Sequence, residues 1–202
     1  MAFDWLTGGS LPQFWKNYLN YFDNDDKKES QRRYVVFDME TSGLDWKEDL
    51  ILSIGAIGVR GNAIEIGDFL EVRVKQDKFT TQSVALHGVL KDDGRERFVE
   101  AEAMIQFLNF AKDATLVSHN INLDIEMINM ALRRLDLGRL KNDIMDTNVL
   151  YQRYKDFDEE HKATLDEICD ALKIKKSDRH TASGNAFTTA LIFLKLKRKL
   201  GI

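Results

Sequence analysis

From Tyr34 to Phe37 the chain reads Tyr-Val-Val-Phe, an unbroken apolar run of β-branched and aromatic residues. That composition suits a buried central strand. Two more apolar, β-rich runs follow, Leu50 to Arg60 and Ala63 to Val74, joined by a hairpin-like Gly61-Asn62 turn. Together they predict a three-stranded meander. After an irregular stretch from Gln76 to Asp93 the period changes. Phe98, Ala101, Ile105, Leu108 and Ala111 recur at helical spacing, and Ala114 to Ser118 reads as a short strand. A helix is expected over Asp124 to Leu137, with Ile125, Ile128, Leu132 and Leu135 on one side. Ile144-Met145 is a short strand, and Asn148 to Tyr154 begins another helix. Thr164 to Leu172 forms a helix with Thr164 as N-cap and Glu167 three residues on. A long helix closes the chain from Thr181 to Leu200. Meander first, then alternating helices and strands, predicts an α/β sheet of mixed direction.

Residues 1–33 read as a separate extension ahead of a main domain over 34–202. Ser10-Leu11-Pro12-Gln13 resembles a capping box, with the chain's one proline in the first helical turn. Phe14, Trp15, Tyr18, Leu19 and Phe22 then make an aromatic helical face. Such a face either packs on its own domain or docks a partner or a second copy of the chain. Asp23 to Arg33 is a charged linker.

Composition narrows the class. The chain has 202 residues, 44% hydrophobic and 31% charged, enough for one good core. A single cysteine, Cys169, excludes an internal disulfide framework and fits a reducing compartment. No signal pattern or membrane-spanning run is present, so a cytoplasmic location without membrane partners is expected. The net charge of -4 argues against a generic basic coat for nucleic acid. It leaves room for an enzyme that reaches phosphate through bound cations.

Chemistry gathers where the first strand ends. Asp38 and Glu40 follow the apolar run with only Met39 between them, and strand side chains alternate faces, so both carboxylates share one side. Two adjacent negative charges ask for a proton or a cation, and oxygen ligands suit Mg²⁺ or Mn²⁺. The plainer alternative is a strand that runs into solvent and carries ordinary acids. Thr41-Ser42-Gly43 reads as the turn that follows, Gly43 supplying backbone freedom. Three later positions could join the pair: Asp124 after Ser118-His119-Asn120, Asp146 after a short strand, and His180 ahead of the last helix. Asp124 and Asp146 could equally be helix-terminal acids. A neutral imidazole at His180 suits a general base.

Phe37 to Asp45 (F-D-M-E-T-S-G-L-D), Ser118 to Asp124 (S-H-N-I-N-L-D) and Arg179 to Ala186 (R-H-T-A-S-G-N-A) resemble the three ordered motifs of the DEDDh 3'→5' exonucleases. That family includes the proofreading epsilon subunit of bacterial DNA polymerase III and several RNA exonucleases. Leu86-His87-Gly88-Val89 is similar to a further family segment. The resemblance covers roughly residues 34–200, and three motifs in order are far more specific than one. It implies a ribonuclease H-like mixed five-stranded sheet flanked by helices, and two divalent cations, Mg or Mn. The metal-binding acids would be Asp38, Glu40 and Asp124, with His180 as general base. Met39, Thr41, Leu44, His119 and Asn120 would meet the single-stranded 3' end, DNA before RNA. Asp146 matches a frequent D-T step outside the usual ligand set.

One position departs from the pattern. The family's fourth acid falls on Asn185. A carboxamide offers one neutral oxygen where a carboxylate offers two charged ones, so this ligand position is weakened. The expected reaction is metal-dependent release of nucleoside 5'-monophosphates, with full activity requiring aspartate at 185. The alternatives are a nucleic-acid-binding or assembly module that has lost a ligand, and an RNA-directed exonuclease.

Overall fold

The structure, a computed structural model, describes residues 11–23, 32–75, 94, 96–176 and 181–202. Ser10, the Leu86–Val89 segment and His180 lie outside the described residues. Among those described are six helices and one five-stranded sheet. In chain order they are α1 (Gln13–Asn20), β1 (Arg33–Thr41), β2 (Ile51–Arg60), β3 (Ala63–Arg73), α2 (Glu100–Ala111) and β4 (Thr115–Ser118). Then come α3 (Ile121–Arg134), β5 (Ile144–Asp146), α4 (Thr147–Lys155), α5 (Leu165–Leu172) and α6 (Ala182–Leu200).

The sheet order is β3-β2-β1-β4-β5. The meander β1-β2-β3 is antiparallel, while β4 joins β1 and β5 joins β4 in parallel. The apolar run of β1 therefore lies at the centre, as its composition requires. Its side chains feed two cores. Val35, Phe37 and Met39 pack with α1, α2 and α3, while Tyr34 and Val36 pack with α4, α5 and α6. Asp38 and Glu40 continue the Tyr34–Val36 row, so they emerge on the α6 side of the sheet.

Helix α1 packs onto its own domain. Trp15 and Tyr18 are buried in the first core, with Phe14, Leu19 and Phe22 against it. The Tyr18 hydroxyl donates to Asn142 Oδ1 at 2.7 Å and accepts from Lys141 N at 2.8 Å. Pro12 stands at the N-cap rather than inside the first turn, and no side chain caps α1. Its fixed φ serves equally there, since an N-cap nitrogen makes no helical bond. The capping box at Thr164 is present in full, Thr164 and Glu167 each satisfying the other's backbone N–H. Among the described residues, no helix is long and apolar enough to cross a membrane.

Candidate active site

Register builds the site. Asp38 on β1 faces Gly55 on β2. A Cβ at Gly55 would collide with the backbone of Ala182 and Ser183, so the missing side chain lets the first turn of α6 sit directly on the sheet. Thr181 caps that helix, its hydroxyl accepting from Gly184 N at 3.0 Å. The result is that Asn185 reaches the acid pair. Its Nδ2 lies 3.2 Å from Asp38 Oδ2 and 3.5 Å from Glu40 Oε1. Its Oδ1 is buried and has no hydrogen-bond partner among the described residues. Glu40 is itself buried and Asp38 half-buried, so these contacts act where water screens little. The positive end of the α6 dipole also points at the two carboxylates.

Asp124 comes in from the neighbouring parallel strand. Ser118 is one residue past the last β1–β4 pair, Val36 with Val117, and its hydroxyl donates to Asp124 Oδ2. Burial pushes the Asp124 carboxyl up to about 7; the Ser118 hydrogen bond opposes the rise and the charge of Asp146 adds to it. Among the described residues, no three His, Cys, Asp or Glu side chains stand together as a metal-holding group. The expected gathering of Asp38, Glu40 and Asp124 is thus not drawn tight here. Asp124 is turned to Ser118, and the Asn185 amide stands beside the pair.

Asp146 proves to be a cap for two helices. Its Oδ1 accepts from Asn120 N at 3.1 Å and Asn148 N at 2.7 Å, and its Oδ2 accepts from Ile121 N at 3.0 Å. It therefore holds the starts of both α3 and α4. Helix α3 begins at Ile121, three residues before Asp124, because Asp146 and the left-handed Asn120 (φ 59°) supply its entry. His119 Nδ1 lies 3.1 Å from Thr147 Oγ1, next to this cap.

The loop after Glu40 is stapled by Asp49. Its Oδ1 accepts from the Ser42 hydroxyl at 2.7 Å and its Oδ2 from Asp45 N at 2.9 Å. Gly43 is needed here for space, not for a left-handed turn: a Cβ would run into the Asp49 carboxylate, and Gly43 is not among the residues of positive φ. The Thr41 hydroxyl donates to Gly43 O at 2.6 Å, and Leu44 stands 79% exposed at the tip. Met39 is not brought to the site. Its side chain is buried in the first core, on the opposite face from Asp38 and Glu40, as the two-residue period of a strand demands. Ser118, Gly55 and Asp49 were not singled out by the sequence reading. Only Gly55 carried a signal, a glycine inside an apolar strand that marks close backbone approach.

An open mixed sheet with paired acids at the end of its central strand, under the start of a long helix, places the chain among ribonuclease H-like 3'→5' exonucleases of the DEDDh type, hydrolases of phosphodiester bonds. The model of the exonuclease family of the RNase T type matches residues 35–193, and the chain belongs to that family. Among curated proteins it is similar to the PolC-type DNA polymerase III of Caldanaerobacter subterraneus subsp. tengcongensis, 32% identical over 173 residues, 83% of this chain and 12% of that protein. The PolC-type DNA polymerase III of Bacillus subtilis is 28% identical over 171 residues, 82% of this chain and 11% of that protein. The chain therefore spans 11–12% of the length of these two relatives. Among solved structures, E. coli Exonuclease I in complex with a dA16 oligonucleotide aligns with a TM-score of 0.74 at 16% identity, covering 85% of this chain and 42% of that one. At that identity the likeness speaks for the fold.

Proposed function

We propose that this chain hydrolyses the 3'-terminal phosphodiester of single-stranded DNA and releases nucleoside 5'-monophosphates, using two divalent cations, Mg or Mn. The observation that carries the reading is the Asp38–Glu40 pair, side by side on one strand face beneath the first turn of α6. Single-stranded DNA as substrate is supported by the relatives, which are DNA polymerases, and by the structural neighbour, which holds an oligonucleotide. A polymerase is the partner class those relatives suggest, and the single cysteine suits a cytoplasmic setting.

The donor set fits hard cations. Asp38 and Glu40 offer carboxylate oxygens, and the buried Asn185 Oδ1, without a hydrogen-bond partner among the described residues, is an acceptor suited to an ion. Asp38, Glu40 and Asp124 would hold the cations, with Asn185 as the weak fourth position. When bound, such ions lower the pKa of an attacking water and steady charge on the phosphate. The protein's own residues do the rest. His180, as a neutral imidazole, takes the proton from water. The Thr41 to Leu44 loop, pinned by Asp49, meets the terminal nucleotide with the exposed Leu44 side chain, and His119 and Asn120, just ahead of α3, would meet the same strand.

The test is Mn²⁺-dependent release of mononucleotides from a labelled single strand, by this chain and by Asn185→Asp, with Asp38→Asn as the inactive control. Faster release by Asn185→Asp is expected. Equal rates show that the fourth charge is immaterial, and no release by either form overturns the exonuclease reading. The amide contacts to both acids favour one second reading, a strand-binding module of weakened activity. It predicts binding without cleavage even by Asn185→Asp. Competition between DNA and RNA ends separates a DNA from an RNA preference through the 2'-hydroxyl.

A further inference from the structure

We infer that Asn185 is a built-in stand-in for a cation: its amide holds the Asp38–Glu40 pair together in the metal-free protein and sets how readily a metal ion displaces it. The inference rests on the exonuclease reading only for the identity of the ion. The hydrogen bonds carry the remainder.

A carboxamide has two N–H donors on one end and one carbonyl oxygen on the other. Facing two carboxylates, only the nitrogen end is attractive, one donor to Asp38 Oδ2 and one to Glu40 Oε1. The reverse orientation would set a third oxygen against two negative ones. The orientation is therefore dictated by its neighbours, and it strands the other end, leaving Asn185 Oδ1 buried without a partner among the described residues. That unsatisfied acceptor is what a metal ion can relieve. Half a turn of the amide would offer its oxygen to a cation held by the two acids, whose charge would stand in for the donors that have swung away. The backbone need not move, because Gly55 and the Thr181 cap fix the start of α6.

The same geometry shows what aspartate would do here. A carboxylate at 185 has no donor to offer, so three negative groups would crowd one half-buried space, and the metal-free protein would be destabilised. Metal would then bind tightly because it removes that repulsion. Asparagine exchanges this state for a stable empty site and a lower affinity, so occupancy follows the free cation concentration instead of being saturated.

The experiment compares thermal unfolding and calorimetric Mn²⁺ binding for the full chain, Asn185→Asp and Asn185→Ala. In EDTA both variants are expected to melt about 4–10 °C below the parent, since each loses two charge-assisted hydrogen bonds. With Mn²⁺, Asn185→Asp should gain the largest upward shift and bind about tenfold or more tighter than the parent, whereas Asn185→Ala gains no more than the parent. An Asn185→Asp protein as stable as the parent in EDTA, or a parent that binds Mn²⁺ equally tightly, overturns the inference. Should Asn185→Asp not fold without metal, Asn185→Ala decides: parental stability in EDTA refutes the amide's role, and a lowered melting point upholds it. DNA cleavage enters neither measurement. Its absence from every form would sink the exonuclease reading and leave this inference intact.

Discussion

Gly55 of β2 lies opposite Asp38 of β1 in the antiparallel ladder, and its bare Cα is what the first turn of α6 rests on. The two residues share a sheet face, so whatever fills the space above one sets what can reach the other. A methyl at 55 meets backbone, which, unlike a side chain, cannot rotate away. Gly55→Ala should therefore lower stability by about 1–3 kcal/mol through overpacking, read as a lower urea midpoint at unchanged m. It should also lift Asn185 off Asp38 and shrink the Mn²⁺ response of the Asn185→Asp form. A Gly55→Ala protein of parental stability and metal response would show that α6 is seated by other contacts.

Arg33 and Asp68 make a second long-range constraint, at the far end of β1. Arg33 Nε donates to Asp68 Oδ2 at 2.8 Å, Nη2 to Asp68 Oδ1 at 2.9 Å and Nη1 to Phe110 O at 2.8 Å. The guanidinium beside it holds the Asp68 carboxyl below its usual range; burial opposes the effect. Because the folded pKa lies below the unfolded one, the pair's contribution is fully present above the ordinary value of 3.8 and is lost as pH falls through the folded value. Urea unfolding at pH 7 should show Asp68→Asn less stable than the parent, and the gap should narrow as pH falls below 3.8. A gap that is constant with pH would mean that the carboxylate's charge contributes nothing.

What could be read in advance follows the range of the forces involved. The central strand was legible because Tyr34 to Phe37 is apolar without a break, and the acid pair because strand period is local geometry. The capping box at Thr164 was legible for the same reason, two residues three positions apart carrying the whole device. Features made by chain segments far apart in sequence were not. Helix α3 begins earlier than its apolar periodicity suggests because Asp146, 25 residues on, accepts from Ile121 N. Gly43 was expected to serve a turn, but it makes room for Asp49. Met39 sits between two acids in sequence yet faces the other core. That Asn185 would hydrogen-bond both acids, rather than only weaken a ligand position, needed Gly55 and α6 brought together.

Tyr18 ties α1 to the segment just ahead of β5, and this makes residues 1–33 testable as an extension of the 34–202 domain. With the residue 1% exposed, burial pushes the phenol up to about 12, while hydrogen bonds at Lys141 and Asn142 oppose the rise. The contribution of the neutral phenol is fully present below pH 10 and is lost as pH rises toward 12. Tyr18→Phe leaves Lys141 N without its acceptor and should cost about 1–3 kcal/mol at pH 7. Between pH 10 and 12 the parent should lose stability faster than Tyr18→Phe. A chain starting at residue 34 should melt lower still, since Trp15 and Tyr18 would leave their part of the first core uncovered. Equal melting with and without α1 would make the extension dispensable to the fold.

Asp146 offers the sharpest test of how the rim of the cleft is held. Its two oxygens take three backbone N–H groups, those of Asn120, Ile121 and Asn148, so one carboxylate answers for the orphan donors of two helices. Its negative charge also faces the positive ends of both dipoles. Asp146→Ala removes every one of these interactions and should cost about 2–4 kcal/mol. Asp146→Asn retains a single acceptor oxygen and no charge, so it should fall about midway. Because Asp124 sits in the first turn of α3, loosening that turn should also weaken Mn²⁺ binding by the Asn185→Asp form, in the same order as stability: aspartate, asparagine, alanine. Chemical unfolding and calorimetry on the three proteins give both series. If stability falls in that order while metal affinity stays level, then the entry of α3 is held by Asp146 but the position of Asp124 is set by Ser118 alone.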